Sequence, residues 1–210
     1  YQIEIDENKN IVGKLYEDKY KDELIDFMKD YFEKNYQLYC IRDASYIAGL
    51  IEELKSEDGF TELLYADEKI VGYKLIWGFE KKEVRAFVLE KEYRKAFVKK
   101  KEAYMARIVN LKEFMKNISI KKTYKQDELS LYIKVNDDII KENNACFIWK
   151  LGKGGSSIEE LSEKEAYSHK LTELDIKNLS SYLLGYGTVY DEQLGAYVER
   201  VGSVYIDEVV

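Results

Sequence analysis

The sequence has no proline among its 210 residues, only two cysteines and a single histidine. The absence of proline excludes a proline-rich linker, a polyproline ligand and a collagen-like or mucin-like segment. Cys40, Cys146 and His169 are too few and too widely spaced for a disulfide framework or a zinc site. This cysteine usage favours a reducing compartment, so we expect a cytoplasmic protein that holds no metal.

Long apolar runs and an excess of positive charge are also missing. No apolar run approaches the 18 residues of a membrane-spanning helix, so we expect no membrane span. The net charge of −7 argues against a nucleic-acid binder, because such proteins usually carry a basic stripe. Hydrophobic residues make up 46% of the chain, which is enough to bury the core of one large domain or two small ones.

The first half of the chain predicts a strand, two helices and three strands in succession. Apolar residues alternate in Tyr1–Ile5, recur at helical spacing in the next two segments, and are dense in the last three. The predicted helices are Glu17–Lys34 and Asp43–Glu57, and the predicted strands after them are Phe60–Ala66, Ile70–Phe79 and Glu83–Leu89. Asp43 is predicted to cap the second helix and Gly59 to end it in a left-handed conformation. This order is typical of an α+β fold and not of a βαβ repeat.

The second half predicts a similar mixture after Glu90–Lys101, a charged stretch that we interpret as a domain boundary. The predicted strands are Met105–Val109, Glu128–Val135, Ala145–Leu151 and Glu165–Glu173. The predicted helices are Leu111–Asn117 and Asp175–Leu184, the latter capped by Asp175 and ended at Gly185. Between them, Gly152–Ser157 is predicted to be a flexible loop.

Two stretches of the sequence resemble a calcium-binding loop and a nucleotide-binding loop, but their residues do not have the spacing that these motifs require. Asp137 and Asp138 lack the regularly spaced ligands of a calcium loop. In the glycine-rich stretch 151–157, Lys153 precedes the glycine pair, whereas a nucleotide-binding loop places its lysine after the glycine. The acyl-CoA loop pattern, Q/R-x-x-G-x-G/A, does not occur in the sequence.

Candidate nucleophiles and acid–base pairs also lack the partner residues that catalysis requires. Ser168 and His169 are neighbours whose side chains would diverge, and we expect His169 to be a partly exposed strand residue. Cys40 is expected to be a buried structural thiol. Arg42 and Asp43 are interpreted as a salt bridge and a helix cap, and the 19 tyrosines as packing residues. The residues alone thus indicate an α+β protein without a self-contained catalytic constellation.

Several motifs occur in an order that is typical of one family. They are Arg42-Asp43 with Tyr46; Glu53-Leu54; Glu57-Asp58-Gly59; Ile70-Val71-Gly72-Tyr73; Tyr104-Met105-Ala106-Arg107-Ile108-Val109-Asn110; Leu131-x-x-x-Val135-x-Asp137; Asn144-x-x-Phe147; and Tyr205-Ile206-Asp207-Glu208-Val209-Val210. With them, nearly the whole chain resembles the C-terminal two-thirds of the Eis-like (enhanced intracellular survival) bacterial N-acetyltransferases.

The resemblance implies two domains. Residues 1–100 would form a degenerate second GNAT-like domain with a mixed sheet and helices, and residues 101–210 a sterol-carrier-protein-like α+β domain. In this family a first GNAT domain binds acetyl-CoA, which would explain why the acyl-CoA loop is missing here. Tyr1, a start without methionine in a strand-like pattern, also favours a segment upstream.

The family also implies a reaction and partners. Members transfer acetyl from acetyl-CoA to amines, and the C-terminal carboxylate serves as general base. Here that role falls on the terminal carboxylate of Val210, while no cofactor-binding residue and no acid is assigned. The implied partners are the N-terminal GNAT domain of the same protein and further copies in a trimer or hexamer. Two alternatives stay open: a stand-alone module that binds a hydrophobic ligand, and an oligomerisation unit.

Overall fold

The computed structural model describes residues 2–98, 106–186 and 191–206. They fold as two compact units, the first formed by residues 2–98 together with 205 and 206, and the second by residues 106–186 and 191–204. The predicted domain boundary between residues 100 and 101 lies outside the described residues. The assignment of 1–100 and 101–210 to the two predicted domain types stays a prediction.

The first unit is built around a four-stranded antiparallel sheet with strand order β2-β4-β5-β6. Its helices are α1 (Lys21–Asn35) and α2 (Ala44–Ser56). Its strands are β1 (Gln2–Ile5), β2 (Val12–Leu15), β3 (Leu38–Tyr39), β4 (Phe60–Ala66), β5 (Lys69–Trp77), β6 (Glu83–Leu89) and β7 (Arg94–Val98). Strands β1 and β7 pair as a separate antiparallel ribbon.

One face of this sheet is covered by α1 and α2. Both helices are amphipathic, and their apolar stripes are buried against the apolar side chains of β4, β5 and β6. The buried helical residues are Leu24, Met28, Tyr31, Phe32, Ile47, Leu50 and Leu54. A smaller apolar cluster on Leu64, Val71 and Leu89 packs with residues of the β1–β7 ribbon.

The residue predicted to cap the start of α2 is confirmed, whereas the residue predicted to end the helix in a left-handed conformation is wrong. Asp43 caps the helix as predicted, because its carboxylate accepts the backbone N–H of Tyr46 at 2.9 Å. The left-handed residue after the helix is Asp58, with φ of 53°, and not Gly59. Gly59 is needed for a different reason: a Cβ there would overlap the carbonyl oxygens of Ile76 and Leu54.

The second unit contains a four-stranded sheet with order β10-β9-β8-β11, in which β11 runs parallel to β8. Its strands are β8 (Glu128–Asn136), β9 (Ala145–Gly152), β10 (Gly155–Glu160) and β11 (Thr172–Asp175). Its helices are α3 (Leu111–Lys116), α4 (Glu163–Ser168), α5 (Ile176–Leu183) and α6 (Glu192–Tyr197). The core is continuous and includes the fully buried Trp149, Phe147 and Tyr182. The last strand, β12 (Val204–Tyr205), pairs with β3.

Several expectations for the second half were wrong. Residues 106–109 form no strand, and Gly152–Ser157 is a hairpin turn into β10 instead of a flexible loop. The predicted strand Glu165–Glu173 begins as α4, where Ser162 and Glu165 form a reciprocal capping box, and only its end belongs to β11. His169 accordingly lies at the end of α4 and is exposed, not in a strand.

We expect Gly72→Ala to destabilise the first unit by about 1–3 kcal/mol, because overpacking a core carries a cost of that size. A Cβ at Gly72 would overlap the backbone oxygen of Val88 on β6, and backbone cannot move aside as a side chain can. Urea unfolding followed by circular dichroism measures the change.

The matched control is Gly49→Ala on the exposed side of α2, where a Cβ meets nothing within 4 Å. The free energy of unfolding of this variant should be higher by about 0.5–1 kcal/mol, because alanine has a higher helix propensity than glycine. Equal stability of the two variants would contradict the close packing of β5 on β6.

Candidate functional site

The predicted site residue, Val210, lies outside the described residues, so its role stays a prediction. The described residue nearest to it whose side chain is buried is Tyr205, which is 7% exposed. Tyr205 belongs to the first unit, although the sequence places it after the whole second unit. The candidate site is therefore built from the residues that receive Tyr205.

Tyr205 packs into an aromatic cluster at the end of α1. Its ring centre lies 4.8 Å from that of Phe32 and 5.0 Å from that of Tyr36, both at tilted or edge-on angles. Such geometries favour aromatic pairs, because the positive ring edge of one meets the negative face of the other. Phe32 is fully buried on α1, and Tyr36 follows as the residue that ends the helix.

A buried cation lies within this cluster. The guanidinium carbon of Arg42 is 3.7 Å from the ring centre of Phe32, 5.2 Å from that of Tyr46 and 5.3 Å from that of Tyr205. Its Nη1 donates to the carbonyl oxygen of Cys40 at 2.7 Å. We call Arg42 with Phe32, Tyr36, Tyr46 and Tyr205 the Arg42 cage.

Local features of the sequence position Arg42 and Tyr46, whereas Tyr205 joins the Arg42 cage by strand pairing. Asp43, the cap of α2, fixes the start of that helix, so Arg42 just before it is directed toward the end of α1. Tyr46 lies in the first turn of the same helix. The pairing of β12 with β3, which lies between the two helices in the chain, adds Tyr205 from the far end of the sequence.

A second polar centre, in the second unit, surrounds the buried carboxylate of Asp137. Asn143 Nδ2 and the backbone N–H groups of Ile139 and Ile140 donate to it, each at 2.9 Å, and Arg107 forms an ion pair with it. The side chain of Asn144 in turn accepts the backbone N–H of Asp137 at 2.7 Å. We call this group the Asp137 hub.

These donors decide the charge state of Asp137. Burial alone would raise the pKa of the carboxyl. The hydrogen bonds from Asn143, Ile140, Ile139 and Arg107 outweigh burial and hold the pKa well below its usual range. Asn143 also accepts the backbone N–H of Leu111 at 3.2 Å, so the hub joins the end of β8 to the start of α3. Its arrangement is that of a structural anchor.

The glycine-rich stretch lies on a polar groove. The groove has a volume of about 530 Å³, and glycines, serines and lysines predominate in its lining, together with Glu128 and two leucines. Two of the nearby lysines pair with acids, Lys150 with Glu159 at 3.0 Å and Lys116 with Glu113 at 2.5 Å. The stretch leads from β9 into β10, whereas a phosphate-cradling loop leads into a helix N-terminus. The glycine-rich turn therefore lacks the strand-to-helix geometry of a phosphate-cradling loop.

Other residues tested in the sequence are not brought into a catalytic arrangement. The ring of His169 stacks on Tyr132, with centres 3.8 Å apart and planes at 12°. Ser168 Oγ donates to the backbone oxygen of Glu165 at 2.7 Å. Cys40 and Cys146 are both half-buried, so Cys40 is not the buried thiol that the sequence predicts.

The described residues contain neither a metal-binding cluster nor a helix that could span a membrane. Within residues 2–98, 106–186 and 191–206, no group of three or more His, Cys, Asp or Glu side chains could hold a metal ion. Across the same described ranges, no helix has the length and apolar character that crossing a membrane requires.

Comparison with protein families gives a match in the second unit. Residues 111–204 match the family described as a sterol carrier protein domain. A comparison with curated proteins gives no significant match.

Solved structures resemble nearly the whole chain. A GCN5-related N-acetyltransferase from Anabaena variabilis gives a TM-score of 0.57 at 16% identity, over 94% of this chain and 58% of that one. A conserved protein from Enterococcus faecalis, described as a "Probable N-Acyltransferase", gives 0.61 at 13% identity over the same shares. A GCN5-related N-acetyltransferase from Kribbella flavida gives 0.56 at 12% identity, over 92% and 55%.

These likenesses define the class of fold. The chain has the α+β fold of the corresponding part of these solved structures, and its second unit matches a sterol carrier protein domain, which confirms the predicted fold class. The chain spans less than two-thirds of the length of the solved structures it resembles.

We expect Asp137→Asn to destabilise the second unit by about 2–3 kcal/mol at pH 7, because it removes a buried charge from its donors. A carboxyl whose pKa is lowered on folding contributes stability above its unfolded pKa of about 3.9 and loses it as the pH falls toward the folded value. The difference between the two proteins should therefore shrink below about pH 5. Urea unfolding from pH 7 to pH 3 measures this.

Asp127→Asn is the matched control, since Asp127 pairs with Lys153 but its side chain is 81% exposed. An exposed ion pair contributes little to stability, so the free energy of unfolding of this variant should stay close to that of the parent protein at every pH. An Asp137→Asn effect that is equally small would exclude the Asp137 hub as an anchor.

Proposed function

We propose that this chain is the C-terminal part of an Eis-like N-acetyltransferase, which transfers an acetyl group from acetyl-CoA to an amine acceptor. The observation that carries the proposal is the fold likeness over 92–94% of the chain to proteins described as N-acetyltransferases or a probable N-acyltransferase. The order of the sequence motifs supports the narrower, Eis-like assignment. The chain would supply a scaffold and a wall of the acceptor pocket.

In this proposal acetyl-CoA binds to an N-terminal GNAT domain of the same cytoplasmic protein. Two observations support that division: the acyl-CoA loop pattern is missing from the sequence, and the glycine-rich turn joins two strands. The protein would assemble as a trimer or hexamer.

The terminal carboxylate of Val210 is the proposed general base. A carboxylate within hydrogen-bond reach of an amine acceptor can take its proton and leave the nitrogen nucleophilic. The Arg42 cage supports this assignment, because it holds Tyr205 only five residues before Val210.

Isolated residues 1–210 should bind acetyl-CoA weakly or not at all in isothermal titration calorimetry. The reason is that the sequence lacks the Q/R-x-x-G-x-G/A pattern and that its glycine-rich turn joins two strands instead of leading into a helix N-terminus. Tight binding would contradict the proposed division of labour.

The same titration on the product of the reading frame extended upstream of Tyr1 is the positive control. We expect that product to contain a Q/R-x-x-G-x-G/A loop, to bind acetyl-CoA and to acetylate an amine. A start codon close to Tyr1 would contradict the proposal directly.

A second candidate function is the binding of a hydrophobic ligand by the second unit. The match of residues 111–204 to a sterol carrier protein domain favours it, because such domains often enclose an apolar tunnel. Native mass spectrometry with a series of fatty acids should then show a bound species and a raised melting temperature. Absence of both for every chain length would exclude this candidate.

A further inference from the structure

Arg42 combines features that a surface arginine does not have. Its residue exposure is only 5%, and its guanidinium lies over the face of Phe32. A desolvated guanidinium over an aromatic ring is held strongly, because the ring face is negative and little water competes. Arg42 is therefore fixed in position and can fix what packs on it.

The part of the chain that packs on Arg42 belongs to a short strand pair. Strand β12 is two residues long, and so is its partner β3. So short a ladder is marginal by itself, since even a whole isolated two-stranded hairpin is barely stable in water. The side chain of Tyr205, which lies against Phe32, Tyr36 and Arg42, therefore contributes to the placement of β12.

Val210, whose terminal carboxylate is the proposed base, follows Tyr205 by five positions in the sequence. A base that is misplaced by about 1 Å can lose a hundredfold in rate. The precision of the base thus depends on how firmly Tyr205 is held.

We propose that Arg42 is a positioning residue, which holds Tyr205 by cation–π contact and so directs the C-terminal segment. The holding of Tyr205 follows from the contacts of the Arg42 cage. The consequence for catalysis rests on the proposed function. The two parts are tested separately.

Hydrogen exchange on residues 1–210 tests the holding of Tyr205. In Arg42→Gln, the amides of β3 and β12 should exchange at least about tenfold faster than in the parent protein, compared at equal global stability. Arg42→Lys should lie between the two, because it keeps the charge and loses the planar stacking.

Arg85→Gln is the matched control. Arg85 also lies over an aromatic ring, that of Trp77 at 5.0 Å, and pairs with Glu53 at 2.6 Å, but it is not a member of the Arg42 cage. This variant should leave the exchange of β3 and β12 unchanged. Unchanged exchange in Arg42→Gln, or equal acceleration in both variants, would overturn the positioning role.

Kinetics of the full-length protein test the catalytic consequence. Arg42→Gln should lower kcat for acetyl transfer at least about tenfold and leave KM for acetyl-CoA within twofold. Removal of Val210 from Arg42→Gln should then cost much less than its removal from the parent. Faster exchange with an unchanged kcat would support the holding of Tyr205 and overturn its catalytic consequence, whereas an unchanged kcat on removal of Val210 from the parent would overturn the proposed base.

Discussion

The burial of the Arg42 guanidinium constrains the arrangement of the first unit. A cation removed from water needs compensation, and here aromatic ring faces and the carbonyl oxygen of Cys40 provide it. Those rings come from the end of α1, the first turn of α2 and the C-terminal strand. The three segments must meet at one point if the charge is to stay buried.

The second unit meets a comparable constraint with the opposite charge. Asp137 stays ionised in the interior because neighbouring donors converge on its two oxygens. Its partner Asn143 also bonds to the backbone of Ile108 and Leu111, so the loop after β8 and the start of α3 are held by one carboxylate. Each unit thus contains a buried ion, whose partners define where the surrounding segments lie.

The sequence could predict the elements that carry a strong local signal. The helical spacing of α1 and α2, the cap at Asp43 and the alternation in β8 each follow from a period or from a single side chain. Strand β2 is exposed along its whole length and β7 follows a run of charges, so neither shows an alternation that could indicate a strand. Their pairing depends on β4 and β1, which lie far away in the sequence.

The candidate site shows the same division between local and distant information. The motifs Arg42-Asp43 and Val135-x-Asp137 are visible in the sequence, and the capping role of Asp43 could be derived from its place before an apolar period. The contact between Arg42 and Tyr205 could not, because no local pattern relates two residues that belong to opposite ends of the chain. The strand predicted at Glu165–Glu173 failed for a different reason: the capping box of Ser162 and Glu165, a local signal that is present in the sequence, stabilises a helical turn there.

The polar groups of the described residues explain why catalysis is proposed at the terminal carboxylate. Asp43, Asp175 and Asp191 cap helices. Asp137 has donors on both oxygens, and several lysines of the second unit form exposed ion pairs with acids. A group that is already bonded within the fold must break those bonds before it can accept a proton from a substrate. In the proposed mechanism the base is instead the terminal carboxylate of Val210, and the Arg42 cage holds Tyr205 five positions earlier in the sequence.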